Sequence, residues 1–264
     1  MTQKIILSEE EQNYIKQELL NKKTCTELRK EFNIGEDAFL RIAHEIMGPK
    51  FNFRRKSYLD INYFQNINTP EKAYWLGFMA ADGCIVGNEL SIQLQSQDKE
   101  HLKKFSQAVD GNFTLREIHG TNNFGKEYFH YRISVRCNEF VRDLKKWNIV
   151  QNKSLSLQVP ELKDDLFPYW IIGLIDGDGY IQKNKDKIRI RITGTEQVLQ
   201  FIKKFLNSNN TIIKEHRCEN TYSFALENQI SEDFLKKYNY INLPFALERK
   251  KDFVKDYFNS SAIE

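Results

Sequence analysis

The chain states one passage twice. Tyr74-Trp75-Leu76-Gly77-Phe78-Met79-Ala80-Ala81-Asp82-Gly83 returns as Tyr169-Trp170-Ile171-Ile172-Gly173-Leu174-Ile175-Asp176-Gly177-Asp178-Gly179, so that Gly77 matches Gly173 and Asp82 matches Asp178, each 96 positions on. A repeat of this kind predicts two copies of one structural unit. Each passage reads as an apolar helix with small residues at i and i+4, Gly77/Ala81 and Gly173/Gly177, which lets two helices pack with their backbones nearly touching. Gly77 and Gly173 are the expected helix interface. Each helix ends in an acid and is followed by Gly83 or Gly179, the residue type expected just past a helix end. A carboxylate at the negative end of a helix is destabilised unless positive charge joins it. Crossing helices would bring Asp82 and Asp178 together, and two converging carboxylates call for a divalent cation.

With 264 residues, the chain is long enough to bury a sizeable core, as one large domain or two ordinary ones. Hydrophobic content of 41% with 13% aromatics is that of a globular protein. The formal charge of +3 and pI of about 8.5 fit a nucleic-acid partner if the charge collects on one face. Cys25, Cys84, Cys137 and Cys218 are far apart and form no CxxC pair, so neither a zinc site nor a disulfide framework is expected. The N-terminal stretch lacks the apolar core of a signal peptide, and no run approaches a membrane span. The expectation is a soluble intracellular monomer with no membrane partner.

Residues 1–48 read as three short helices. Ser8-x-x-Glu11 and Thr24-x-x-Glu27 have the capping-box form, Asn33-Ile34-Gly35 breaks the pattern, and a third helix from Glu36 to Met47 stops at Gly48-Pro49. Helix, tight turn, helix is the helix-turn-helix outline, with Arg41 and His44 able to face DNA and Glu36, Asp37 and Glu45 opposing it. Residues 49–65 read as a basic linker, in which Arg54 and Arg55 of Lys50-Phe51-Asn52-Phe53-Arg54-Arg55-Lys56 would follow a nucleic-acid backbone.

After each acid-ending helix the period changes to two. Leu90, Ile92 and Leu94 alternate with Gln93, Gln95 and Gln97, and Ile188, Ile190 and Ile192 alternate with Lys187, Arg189, Arg191 and Thr193. Tyr131, Ile133 and Val135 alternate likewise with His130, Arg132 and Arg136. With further helices between, each copy reads helix, hairpin, helix, hairpin, helix: an α+β fold of two pseudo-symmetric repeats, residues 66–160 and 161–258, with a tail at 259–264. Each repeat would hold an antiparallel sheet covered by helices on one face. The other faces carry Gln, Arg, Lys, Thr and His, donors for base edges and phosphates, and are nearly without acids.

At this point the repeated motif resembles that of the LAGLIDADG homing endonucleases in their two-motif, single-chain form, the copies being Trp75 to Gly83 and Ile171 to Gly179. The resemblance implies that Asp82 and Asp178 bind the catalytic metal, with the carbonyls of Ala81 and Gly177 as further ligands. Mg2+ is the implied cofactor, with Mn2+ as a substitute and Ca2+ binding without supporting cleavage. It further implies a water-positioning residue at the end of the second strand, Gln97 in copy one, and basic residues near the cleaved phosphate, Lys153 and Lys250. The sixth motif position, usually acidic, is Asp176 in copy two but Ala80 in copy one, which bears on the stability of the first motif end.

The implied activity is Mg2+-dependent cutting of both strands of a long, non-palindromic DNA target. An RNA maturase acting on intron RNA, and a non-cleaving DNA-binding regulator on the same fold, are the alternatives. An intein is disfavoured by the absence of an opening nucleophile and of a closing His-Asn. The histidines form no HExxH spacing, and no GxSxG or phosphate loop is present.

Overall fold

The computed structural model describes residues 5, 7–21, 23–48, 59–121, 125, 127–184, 187–216 and 220–261, leaving aside the side chains of Ser154, Asn184 and Ser261. Arg54, Arg55 and the basic stretch around them lie outside the described residues, as does Cys218. The chain divides into two compact units, Met1–Tyr58 and Leu59–Glu264.

The first unit is three helices, α1 (Glu9–Leu20), α2 (Cys25–Glu31) and α3 (Glu36–Met47). Both capping boxes form: the Ser8 and Thr24 hydroxyls accept from the backbones of Glu11 and Glu27, whose carboxylates accept in return from the cap N–H groups. Asn33 takes a left-handed backbone (φ 50°) between α2 and α3, and Ile15, Leu19, Leu28, Ile34, Phe39 and Ala43 close a small core. Arg41 and His44 are exposed on α3, alongside exposed Glu36, Asp37 and Glu45.

The second unit repeats one topology. The first copy runs α4 (Pro70–Asp82), β1 (Gly83–Val86), β2 (Glu89–Gln95), α5 (Lys99–Ala108), β3 (Arg116–Thr121), β4 (Glu127–Arg136) and α6 (Asn138–Lys146). The second runs α7 (Phe167–Gly177), β5 (Tyr180–Asn184), β6 (Lys187–Gly194), α8 (Glu196–Phe205), β7 (Ile213–Lys214), β8 (Tyr222–Ala225) and α9 (Asn228–Lys237), closed by α10 (Glu248–Ser261). The sheets have matching antiparallel orders, β1-β2-β4-β3 and β5-β6-β8-β7. Alternation puts Leu90, Ile92, Ile133 and Val135 of one sheet, and Ile188, Ile190, Ile192 and Phe224 of the other, into a single core with both motif helices. No helix among the described residues is long and apolar enough to cross a membrane.

Two expected boundaries move. Leu59 to Gln65 is not linker: Phe64 is fully buried, Tyr63 nearly so, and Leu59 and Ile61 pack against the same core. Aromatic residues beside a basic run were too little signal to separate an anchor from a connector. At the other end α10 continues through Ser261, three residues past the expected limit of the repeat.

Candidate nucleic-acid and metal site

The motif helices α4 and α7 cross at their small residues. A Cβ on Gly77 would strike the Trp170 carbonyl, and one on Gly173 would strike the Tyr74 carbonyl and lie 2.6 Å from the Phe78 nitrogen. The two clashes are symmetry mates, so Gly77 and Gly173 mark the pseudo-two-fold crossing. One turn on, a Cβ on Gly177 would overlap Ala81 and approach the Asp82 carboxylate to 3.3 Å. Asp82 and the end of α7 are therefore neighbours. Gly83 has an extended backbone (φ −70°), not the left-handed one common after helices. Its Cβ would meet the Met79 carbonyl at 2.6 Å, and that of Gly179 the Ile175 carbonyl at 2.6 Å, so both glycines are required by close approach to the helix end.

The positive charge that a helix-end acid needs is built in. Lys153, 7% exposed, donates to the carbonyls of Ala81 (2.9 Å) and Gly83 (2.5 Å). Lys250, 6% exposed, donates to those of Ile175 (2.6 Å), Asp176 (2.9 Å) and Gly179 (2.7 Å). Each lysine caps one motif helix, and all three protons of Lys250 are engaged. Two lysines thus stand against three carboxylates, Asp82, Asp178 and Asp176, and offset their convergence in part.

Burial, then the charge of Asp178, raises the Asp82 carboxyl to about 7 against the pull of Lys250 and Lys153. Asp178 is displaced upward too, by its packed surroundings and against the same lysines. It is nevertheless exposed while Asp82 is half-buried, so screening discounts its displacement and Asp82 is the more perturbed acid. Burial lowers both lysines from their ordinary range, with Asp178 and Asp82 opposing this at Lys153 and Asp176 opposing it at Lys250.

Asp176 has a different part. It is 2% exposed and accepts from the hydroxyls of Tyr74 (2.8 Å) and Tyr240 (2.6 Å) and from the Leu247 backbone (2.8 Å). Tyr74 Oη also meets His101 Nε2 at 2.9 Å. Because the single Tyr74 proton goes to Asp176, His101 must donate from Nε2, which leaves Nδ1 bare, and Nδ1 is buried without a partner. Under the two-fold, the Tyr74–Asp176 pair maps onto Trp170 and Ala80, 1% and 4% exposed. The polar clasp exists on one side and an apolar contact replaces both of its members on the other. The missing acid at Ala80 is thus matched by a missing hydroxyl at Trp170.

An open cleft of about 250 Å³ lies beside Asp82 and is lined by Gln93, Gln95, His130, Asp98, Gly177 and Arg249 among others. Gln97 does not line it. β2 ends at Gln95, a 3-10 turn (Ser96–Asp98) follows, and Gln97 is exposed beyond the strand with its amide donated to Gln95 (3.0 Å). The polar group at the strand end is Gln95; alternation counted one step too far because the turn keeps the polar composition of the strand. In copy two Gly194 ends β6, and Thr195 caps α8 and donates to the Leu157 carbonyl.

On the first sheet, register puts Gln93, Gln95, His130 and Arg132 on the polar face, with Gln93 bonded to His130 (3.1 Å). On the second, Lys187, Arg189, Arg191 and Thr193 share one face of β6, where Arg189 is half-buried and Arg191 pairs with Glu215 at 2.9 Å. On the first sheet Arg136 is paired with Glu89, so neither face is free of acids. Register also adds residues that periodicity overlooked. Arg116 lies directly opposite Arg132, and Tyr180, 60% exposed, opposite Arg191. β3 lacks alternation and β5 is five residues long, so neither announced its face.

The oxygen donors open to an ion are the two carboxylates and the Gly177 and Ala81 carbonyls, of which the Ala81 oxygen accepts from Lys153 with one lone pair and keeps the other. Among the described residues no group of three or more His, Cys, Asp or Glu is placed to hold a metal ion. An all-oxygen, incomplete set at a glycine-lined helix end fits a hard dication that keeps waters and takes substrate oxygens, and does not fit a closed structural metal.

Two crossing helices that end in acids, each leading into a four-stranded antiparallel sheet, define a protein of the two-repeat LAGLIDADG fold. No family model matches the chain. Among solved structures it is similar to the LAGLIDADG meganuclease I-AabMI bound to uncleaved DNA, 14% identical over 74% of this chain and 91% of that one, with a TM-score of 0.47. It is similar also to the homing endonuclease I-WcaI bound to its DNA recognition sequence (14% identical, 75% and 91% covered, TM-score 0.49). A third is full-length DUF199/WhiA from Thermatoga maritima (15% identical, 76% and 65% covered, TM-score 0.47). Among curated proteins it is 26% identical over 187 residues to a glutamine–fructose-6-phosphate aminotransferase (isomerizing) of Methanocaldococcus jannaschii, a match spanning 66% of this chain and 16% of that protein.

Proposed function

We propose that the chain is a site-specific endonuclease that hydrolyses both strands of a long, non-palindromic DNA duplex with Mg2+. The observation that carries this is the meeting of Asp82 with the Asp178 helix end at the crossing of two repeats, beside an open cleft. A dication held by Asp82, Asp178 and the Ala81 and Gly177 carbonyls would supply Lewis acidity and a more acidic bound water. The residues do the rest. Lys153 and Lys250 lock the ends of α4 and α7 and so fix where the two carboxylates point. Gln95 and His130 offer polar groups at the cleft wall for a water or a phosphate oxygen. Arg116 opposite Arg132 supports a polyanion partner, because like charges facing across strands repel unless something negative covers them. Gln93, Arg189, Arg191 and Lys187 would contact the duplex from the two sheet faces.

A second function, binding without cleavage to DNA or to intron RNA, is favoured by one feature. Buried Lys153 and Lys250 offset part of the acidic charge, so an ion is not the only source of positive charge at the site. The deciding experiment is cleavage of a randomised duplex library with and without Mg2+. Expected is a recovered long, asymmetric target cut on both strands, with Asp82→Asn or Asp178→Asn lowering the rate by about 10³-fold or more while binding persists. Selective retention of duplexes or structured RNA with no cut would establish the binding function instead.

A further inference from the structure

The Asp82 cleft holds a cation that the repeat does not account for. Arg249, in the first turn of α10, lines it with Asp82, Gln93, Gln95 and His130. Its Nε and Nη2 grip the two oxygens of Asp98 at 3.1 and 3.0 Å, where Asp98 is 8% exposed and the Arg249 side chain 48%. A guanidinium has five N–H donors, so this side-on grip leaves the Nη1–Nη2 edge free among the described residues. The lysines differ: Lys250 has all three protons on carbonyls, and Lys153 is buried with two so engaged.

The pair is also one-sided. Asp98 belongs to the 3-10 turn between β2 and α5, for which copy two has no counterpart, since Thr195 passes directly from β6 into α8. Matching Lys153 to Lys250 puts Asn152 where copy two has Arg249. Copy two thus sends Arg249 across to the Asp82 half, where copy one orients it, and Asn152 at the matching position of copy one carries no charge to send back.

We propose that Arg249, oriented by Asp98, binds the scissile phosphate of the Asp82 half of the site, and that the Asp178 half works without such a group. This rests on the nuclease function proposed above. A planar edge with two donors matches two non-bridging phosphate oxygens, and the carboxylate behind it fixes the plane. Asp98 is a positioning residue. The two strand cuts should accordingly differ in their dependence on Arg249.

The test uses the full chain and its target duplex carrying a different label on each strand, in single turnovers with Mg2+. Arg249→Gln should slow one cut at least about tenfold more than the other, Arg249→Lys less, and Asp98→Asn on the same strand. The less affected strand controls for folding in the same tube. A second arm places a neutral methylphosphonate at either scissile phosphate and measures affinity in Ca2+ without cleavage. One such substitution should weaken the wild type about tenfold and Arg249→Gln hardly at all. Equal slowing of both strands, or equal methylphosphonate penalties in both proteins, would overturn the proposal. A wild type that cuts neither strand would count against the nuclease function itself. The methylphosphonate is then moved one position at a time along both strands of the duplex selected by binding, and a scan in which no position weakens the wild type more than Arg249→Gln would overturn the proposal.

Discussion

Lys250 shows how one side chain settles an electrostatic problem that the sequence poses. Its ammonium closes three carbonyls at the end of α7 and is 6% exposed. Lys250→Met would leave those carbonyls and the nearby acids without their cation, and should cost about 3 kcal/mol or more of unfolding free energy by urea titration. A loss below about 1 kcal/mol would mean that water replaces the lysine. His101 gives a prediction of the opposite electrostatic kind. Burial, helped by Lys104 and Lys250, depresses its imidazole to about 3. The folded value lies below the unfolded one of about 6.5, so the unfolded chain binds the proton first. The stability it contributes is complete above about pH 6.5 and is lost as pH falls from there toward 3. Between pH 7.5 and 5.0 the wild type should lose about 2 kcal/mol more than His101→Gln, and parallel losses would show that the imidazole is not held neutral. Neither role was legible in the sequence. Lys153 and Lys250 were expected at a phosphate, and His101 stood in an ordinary amphipathic helix whose mate in copy two has no histidine.

The helix pair was the most legible element, because close packing leaves a direct trace in small residues. Gly77, Ala81, Gly173 and Gly177 were named from spacing alone, and all four sit where the backbones meet. Gly173→Ala would push a methyl group into the Tyr74 carbonyl, which is backbone and cannot rotate away. It should destabilise the fold by about 3 kcal/mol, read as a lower urea midpoint with unchanged slope, and a neutral effect would mean that the helices slide apart easily. Strand ends were less legible. Gln93, Gln95 and Gln97 form an unbroken polar alternation, but the chain leaves the sheet after Gln95, and only backbone hydrogen bonding reveals it. β3 escaped for a related reason, since Glu117, Ile118 and His119 carry no clean period and its face is fixed by pairing with β4.

Across the molecule, the repeat announced the two-fold and the structure adds the ways in which the halves differ. Asp176 is clasped by Tyr74 and Tyr240 where the mate of this pair is Ala80 against Trp170, and Asp98 and Arg249 pair on one side only. Such asymmetry is invisible to a repeat search, which rewards agreement between copies. Yet it is what a chain needs in order to treat the two halves of a non-palindromic duplex differently. The most direct test of the account is a crystal of the protein with its duplex and Mn2+, examined by anomalous scattering. A manganese peak bonded to both Asp82 and Asp178, at about 2.0–2.2 Å, is the expected result. Aspartates that meet with no ion at either, their charge answered by Lys153 and Lys250 alone, would contradict it.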